Sequence, residues 1–533
     1  GVQTCALPIY TVPETPCLLW YYFSAVNEDG STDYLGNAGD LLGGVGDVYD
    51  HIPPAFQITV YDKQYDTPAW LRDGIMYQIF PDRFCRSQPP RPVQPDTYLH
   101  EDWDEKPLAI FDPRNIHHAS DFFGGNLQGI ISKLDYLQSL HVTVLYLNPI
   151  FRARSNHRYD TGDYTQVDPM VGTEEDLRQL CAEAEKRGMR VLLDGVFSHT
   201  GDDSLYFNKY GHYDTVGAYQ SKKSPYYKWY TFERFPNKYR SWWGFTTLPE
   251  INKENPDYRH FMLDEGGVTR KWVNAGTAGW RLDVADELPM RFIADMRKGV
   301  KADKPDAILL GEVWEDASNK VAYGQMRTYC LGDTLDSVMN YPLREAAIAF
   351  VRGDMSAYEF TRRLESLREN YPLPFFYSLM NLMGSHDRPR VLNVLAGECF
   401  ENVDELYRGT CSLSKEQRAL AIRRLEELWK LYAALPGMPS VYYGDEAGLE
   451  GARDPFCRGT YPWGHEDAEI MRITREALDL RASRPVLRRG AMTITPLDND
   501  SICIRRFLHA GNDVFGQPTE DSDYEVTIKA VRG

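Results

Sequence analysis

From about residue 70 the chain alternates short apolar runs with amphipathic segments, and this alternation restricts the possible folds more than any other feature. GIMYQIF (74–80) reads as a first strand. LQGIISKLDYLQSL (127–140) sets Ile130, Ile131, Leu134, Leu137 and Leu140 at helical spacing, and HVTVLYLNPI (141–150) is a strand closed by Pro149. GTEEDLRQLCAEAEKRG offers Thr173 as a cap, an acidic first turn and Gly188 as a stop before the strand MRVLLDGVF. Further strands are expected at AGWRLDV (278–284), AILLGEVW (307–314), LDSVMNY (335–341), LMNLMGSHD (379–387) and PSVYYGDE (439–446), which makes eight. SLSKEQRALAIRRLEELWKLYAAL (412–435) predicts a helix before the last strand, with Ser414 and Gln417 as a capping box. Eight such units predict an α/β fold, a (β/α)8 TIM barrel over residues 70–484.

A long insertion follows the third strand, at about 200–262. It has little periodicity but many aromatic residues (YFNKYGHYD, SPYYKWYTF, YRSWWGF), so a small subdomain over the barrel mouth is expected rather than a bare loop. Residues 10–69 read as a partial N-terminal β-domain, with LLWYYFSAV and PAFQITVYD as paired strands separated by a Gly-rich loop. Residues 485–533 read as a partial C-terminal β-domain with strands at AMTITPLD and SICIRRFLHAG. Residues 1–9, GVQTCALPI, have no basic start, no long apolar centre and no initiator Met, and they match the translation of a common short-read sequencing adapter. They are expected to be non-native, with a disordered natural terminus as the alternative. Both flanking domains are then expected to be truncated, and export stays open.

A net charge of −18 argues against nucleic acid as a partner, since phosphate backbones require a clustered basic footprint. Thirty-four Tyr and eleven Trp exceed what a core needs, and flat rings also stack on sugar faces. Nine Cys without a C-x-x-C pair fit neither a disulfide framework nor a structural zinc site, so a reducing, cytoplasmic location is expected. No run approaches the roughly eighteen apolar residues that would span a bilayer.

In a barrel of this kind chemistry sits at the C-terminal ends of the strands. The polar residues there are Asp194 and His199 after the third, Arg281 and Asp283 on the fourth, Glu312 at the fifth, and His386 and Asp387 at the seventh. One such residue alone would be a strand end meeting solvent; four strands repeating the pattern point to a site. Acids on different strands can converge as glycoside cleavage requires: one to attack the anomeric carbon, one to protonate the leaving oxygen, and further negative charge near the oxocarbenium-like transition state. Side chains alternate along GWRLDV, so Arg281 and Asp283 share a face and Leu282 takes the other. Arg281 beside Asp283 is expected to hold it ionised. Glu312, in LLGEVW, is expected to sit in an apolar setting that raises its pKa.

DGVFSH (194–199), GWRLDVADE (279–287), GEVW (311–314) and GSHD (384–387) resemble the four short motifs of the α-amylase superfamily of retaining glycoside hydrolases, in order and spacing. GWRLDV-x-x-E, LPEIN (248–252), YYGDE (442–446) and an N-terminal β-domain resemble the neopullulanase, cyclomaltodextrinase and maltogenic amylase group within it. The resemblance implies Asp283 as nucleophile, Glu312 as general acid/base and Asp387 as transition-state stabiliser, with Arg281 positioning Asp283. It implies that His199 and His386 donate to sugar hydroxyls, although each alone would pass for a capping or core histidine. Tyr159, in NHRYDTGDY, matches the ring under the sugar at the cleavage point, with His157 beside it. Trp314 follows the acid and is expected either on the leaving-group side or in the core, and Glu287 is expected to shape the acceptor site.

Two departures stand out. Ser198 replaces the Asn that commonly binds calcium in the family, and FCRSQPPRPVQPD lacks closely spaced Asp/Asn oxygens, so no cofactor is expected and calcium is disfavoured. Asp286 stands where the group has Asn. The implied activity is hydrolysis of α-1,4 and some α-1,6 bonds in pullulan, cyclodextrins or maltodextrins, with transglycosylation as the alternative. A non-catalytic binding module would have lost the carboxylates that this chain keeps. In the resembled group the N-terminal domain packs over a partner's site, which implies a homodimer.

Overall fold

The computed structural model describes residues 11–87, 95–397, 409–410 and 412–533. Residues 1–9 and the 88–94 part of the segment after the first barrel strand lie outside the described residues.

The expected barrel is present. Its strands are β1 (Met76–Ile79), β2 (Val144–Leu147), β3 (Arg190–Gly195), β4 (Gly279–Leu282), β5 (Ile308–Gly311), β6 (Ser337–Val338), β7 (Met380–Leu382) and β8 (Met438–Tyr442). All neighbours pair in parallel, in the order β6-β5-β4-β3-β2-β1-β8-β7, and a parallel bridge between Met339 and Met380 joins the two ends. Both faces of each strand are covered, which is why the sequence shows unbroken apolar runs instead of alternation. Met76, Val144, Tyr146, Leu192, Leu310 and Met380 belong to the cluster that fills the barrel. Their neighbours Leu145, Val191, Leu193 and Leu309 belong to the larger core with the surrounding helices.

The helix Glu174–Lys186 begins with a capping box formed by Thr173 and Asp176, and Lys415–Ala434 with one formed by Ser414 and Gln417. The single helix predicted over 127–140 is two, Leu127–Ser132 and Leu134–Gln138. Ser132 Oγ donates back to the Gly129 carbonyl at 2.6 Å, a local bond that competes with the helical ladder at the break.

The N-terminal pairing is partly different from the expectation. Cys17–Tyr21 pairs antiparallel with Phe56–Val60, but Phe23–Val26 turns back at Asn27–Gly30 and pairs with Thr32–Gly36, which pairs with Asp47–Tyr49. Gly30, at φ 83°, permits that turn, so the supposed loop supplies two strands. At the other end Ala491–Pro496, Ser501–Phe507 and Tyr524–Lys529 form an antiparallel sheet whose third strand had no sequence expectation.

The 200–262 insertion holds itself together through rings rather than long elements. Tyr206 stacks on Trp229 at 5.1 Å and Phe207 on Phe232 at 6.0 Å, around a two-stranded ribbon of Phe232–Arg234 and Lys238–Tyr239. Residues His199 and Glu250 form a bridge that ties its return to the end of β3. Among the described residues no helix is long and apolar enough to cross a membrane.

Candidate active site

Arg281 is the only interior side chain of β4 long enough to reach the C-terminal mouth while its backbone stays in the sheet; it is wholly buried. Trp280 and Leu282 on either side pack into the outer core. Its Nη1 donates to Asp194 Oδ1 at 2.8 Å and to Asp283 Oδ1 at 2.9 Å, and its Nη2 pairs with Glu312 Oε2 at 3.0 Å. One cation thus gathers acids from β3, from just past β4 and from just past β5.

Past Asp283 the chain turns sharply. Val284 has φ 40° and ψ 57°, a left-handed conformation that a β-branched residue adopts only at a cost of about 1–3 kcal/mol. The turn aims the Val284 N–H at Glu312 Oε2, 2.8 Å away. The indole of Trp314 donates to Glu312 Oε1 at 3.1 Å, and its ring lies flat on Tyr341 at 4.0 Å with the Arg388 guanidinium on it at 4.5 Å. Glu312 is buried, and its carboxylate takes two hydrogen bonds, from Val284 N–H and the Trp314 indole, beside the Arg281 ion pair, so its surroundings are not purely apolar.

A second network runs across the barrel floor. Tyr159 hydroxyl donates to Asp194 Oδ2 at 2.7 Å, as does Tyr146 at 2.6 Å. Asn148 Nδ2 donates to the Tyr159 oxygen at 3.0 Å, and His386 Nε2 lies 2.6 Å from it. The Gln78 amide donates to His386 Nδ1 at 2.9 Å, which leaves the histidine proton on Nε2, facing Tyr159 and, at 3.2 Å, Asp387 Oδ2. The Tyr159 and His386 rings are parallel within 8° at 5.3 Å. Arg458 bonds the His386 carbonyl at 3.0 Å and reaches Asp387 Oδ1 at 3.4 Å. Asp387, with a third of its side chain exposed, faces the opening.

Burial pushes the Asp283 carboxyl well above the usual carboxylate range, against the pull of Arg281 and with a further push from Glu312, Asp194 and Asp387. Arg281 does lie on Asp283 as expected, but it does not serve Asp283 alone: one guanidinium is divided among three acids. Burial holds His386 and His157 well below their ordinary value and takes His199 down to about 3, so all three rings are neutral at pH 7.

His199 accepts from Ser198 Oγ at Nδ1, 2.8 Å away, and its buried ring also bonds the Tyr159 backbone. His157 accepts the Tyr159 backbone N–H at 3.1 Å and lies 2.9 Å from Ser155 Oγ, so it shapes the loop under Tyr159. Glu287 ends the short turn Ala285–Glu287 and accepts from Trp243 and Tyr323. Gln78, Asn148, Tyr146 and Arg458 had no sequence expectation. The first two break apolar strands as Asp194 does, a signal that was there to be used; Arg458 lies in no strand and gave none.

Residues 78–492 match the family described as α-amylase, catalytic domain. The chain belongs to the α-amylase family. It is similar to amylopullulanase of Thermoanaerobacter thermohydrosulfuricus, 39% identical over 561 residues that take in 96% of this chain but only 37% of that protein. It is similar to cyclomaltodextrinase of Geobacillus thermopakistaniensis (strain MAS1), 35% identical over 459 residues, 84% of this chain and 68% of the relative. Cyclic α-maltosyl-(1→6)-maltose hydrolase of Arthrobacter globiformis, solved with that cyclic sugar, superposes with a TM-score of 0.70 at 32% identity, covering 87% of this chain and 98% of the other.

Ser198, at the position where the family commonly has a calcium-binding Asn, gives its hydroxyl to His199. No step below runs through a metal.

Proposed function

We propose that the chain is a retaining glycoside hydrolase of α-glucans, acting on α-1,4 and some α-1,6 glucosidic bonds of cyclic and short maltodextrins or pullulan. The observation that carries this reading is the gathering of Asp283 and Glu312 on Arg281, with Asp387 across the opening. Asp283 attacks the anomeric carbon and Glu312 protonates the departing oxygen; Glu312 then removes a proton from water, which displaces Asp283. Arg281 and the Val284 amide fix the two carboxylates relative to each other, so little reorganisation is needed as charge develops. Tyr159 supplies a flat floor for the sugar ring, braced by His386. His199, held by Ser198 through Nδ1, presents Nε2–H, which a substrate hydroxyl can accept.

The names of the relatives support the substrate class: a cyclomaltodextrinase, and a hydrolase whose cyclic sugar contains α-1→6 linkages. The free thiols at Cys85, Cys181 and Cys330 support a reducing, cytoplasmic location. The exposed Phe23, Leu35 and Val48, cross-strand neighbours on the N-terminal three-stranded sheet, support a homodimer joined through that face. Asp283→Ala should abolish hydrolysis of cyclodextrin and pullulan with the circular dichroism spectrum unchanged. Retained turnover would sink the assignment.

A further inference from the structure

The barrel mouth carries one arrangement that bond breaking itself does not require. Trp243, from the insertion, and Tyr323, from a hairpin between β5 and β6, both donate to the same atom, Glu287 Oε1, at 2.9 and 3.1 Å. Both have left-handed backbones, φ 49° and 51°, a conformation disfavoured for aromatic residues. Their side chains gain little from burial, since Trp243 is 76% and Tyr323 69% exposed.

The hairpin pairs Val321 with Met326 and Ala322 with Gln325, which leaves Tyr323 and Gly324 as a two-residue turn with positive φ at both positions. Asn-Gly suits such a turn; a tyrosine at its first position works against it. A strained residue held on an exposed tip points to a use for its side chain.

The base of the hairpin is anchored as firmly as its tip. Lys320 pairs with Asp286 Oδ2 at 2.6 Å, and Tyr329 hydroxyl donates to Asp286 Oδ1 at 2.7 Å. Gln57, on the N-terminal strand Phe56–Val60, donates to Ser318 Oγ at 3.0 Å and accepts from Asn319 at 2.7 Å. Asp286 therefore fastens the base and Glu287 the tip. Glu287 closes the turn that starts just after Asp283, so the tethered rings stand one short turn from the reacting acids. Trp243 also stacks on Trp242 at 5.6 Å, whose ring is 5.5 Å from that of His199. A chain of rings, joined by contacts from His199 through Trp242 to Trp243 and by the shared Glu287 oxygen, thus extends to Tyr323.

The geometry points to Tyr323 as a specificity-determining residue: its ring, tethered by Glu287 on a hairpin anchored by Asp286, forms with Trp243 the wall that holds the sugar on the leaving-group side. This rests on the reading of the chain as an α-glucan hydrolase acting through Asp283. The sugar that leaves through this wall in cleavage enters through it in transfer, so the wall favours sugar over water as the acceptor.

Tyr323→Gly removes the ring yet suits the left-handed turn, so its Tm should equal or exceed that of the unaltered protein. Two substrates separate the roles: maltotetraose, which expels a sugar, and α-maltosyl fluoride, which expels only fluoride. The ratio of their kcat/KM values should fall at least tenfold in Tyr323→Gly, and the share of transfer products formed with added maltose should fall with it. A ratio within twofold of the unaltered protein overturns the proposal alone. Failure of the unaltered protein to turn over either substrate overturns the proposal together with the reading beneath it.

Discussion

Arg281 decides how the site behaves, because a single buried cation must serve Asp194, Asp283 and Glu312 at once. The neighbouring histidines are the opposite case, held neutral by burial. For His199 the consequence for stability has a definite sign. Its folded value, about 3, lies below the ordinary 6.5, so between those limits the unfolded chain binds the proton and the folded one does not. The contribution is complete above pH 6.5 and is lost as pH falls. His199→Gln should therefore lose about 2 kcal/mol less than the unaltered protein between pH 7 and pH 5. Urea unfolding at the two pH values measures this, and equal losses would contradict it. At this scale the acids were legible because a carboxylate in an apolar strand is conspicuous. The left-handed Val284 was not, since nothing in LDVAD marks a backbone that turns its amide onto an acid 28 residues away in sequence.

Elements were legible where local chemistry and tertiary packing agree. The eight strands could be found as apolar runs because parallel strands are covered on both faces. The caps at Thr173 and Ser414 follow from side chains that reach only three residues ahead. Ser414→Ala should cost about 1 kcal/mol of stability without altering kcat, as read from denaturant midpoints; an unchanged midpoint would mean the cap is inert. Legibility failed where one weak local bond decides, as at Ser132, or where pairing depends on a short turn, as in residues 23–36. The hairpin carrying Tyr323 was missed for the same reason: two-residue strands have no period to detect.

For the whole molecule, the barrel supplies rigid strand ends and the attached pieces supply the walls. The insertion brings Trp242 and Trp243 to the mouth through its own aromatic core, and the N-terminal strands reach the hairpin through Gln57. Further bonds secure that attachment, from Thr59 to the Asn370 carbonyl at 2.6 Å and from the Gly44 N–H to Glu369 at 3.1 Å. The acids gathered on Arg281 and the rings tethered to Glu287 thus come from different parts of the chain. The proposed reaction passes through a covalent glycosyl ester on Asp283, and trapping tests that step most directly. Incubation with 5-fluoro-α-glucosyl fluoride, proteolysis and mass spectrometry should find one fluoroglucosyl group on the peptide containing Asp283. A protein that hydrolyses maltodextrins but carries the group on another residue, or releases product with inverted anomeric configuration, would contradict the account.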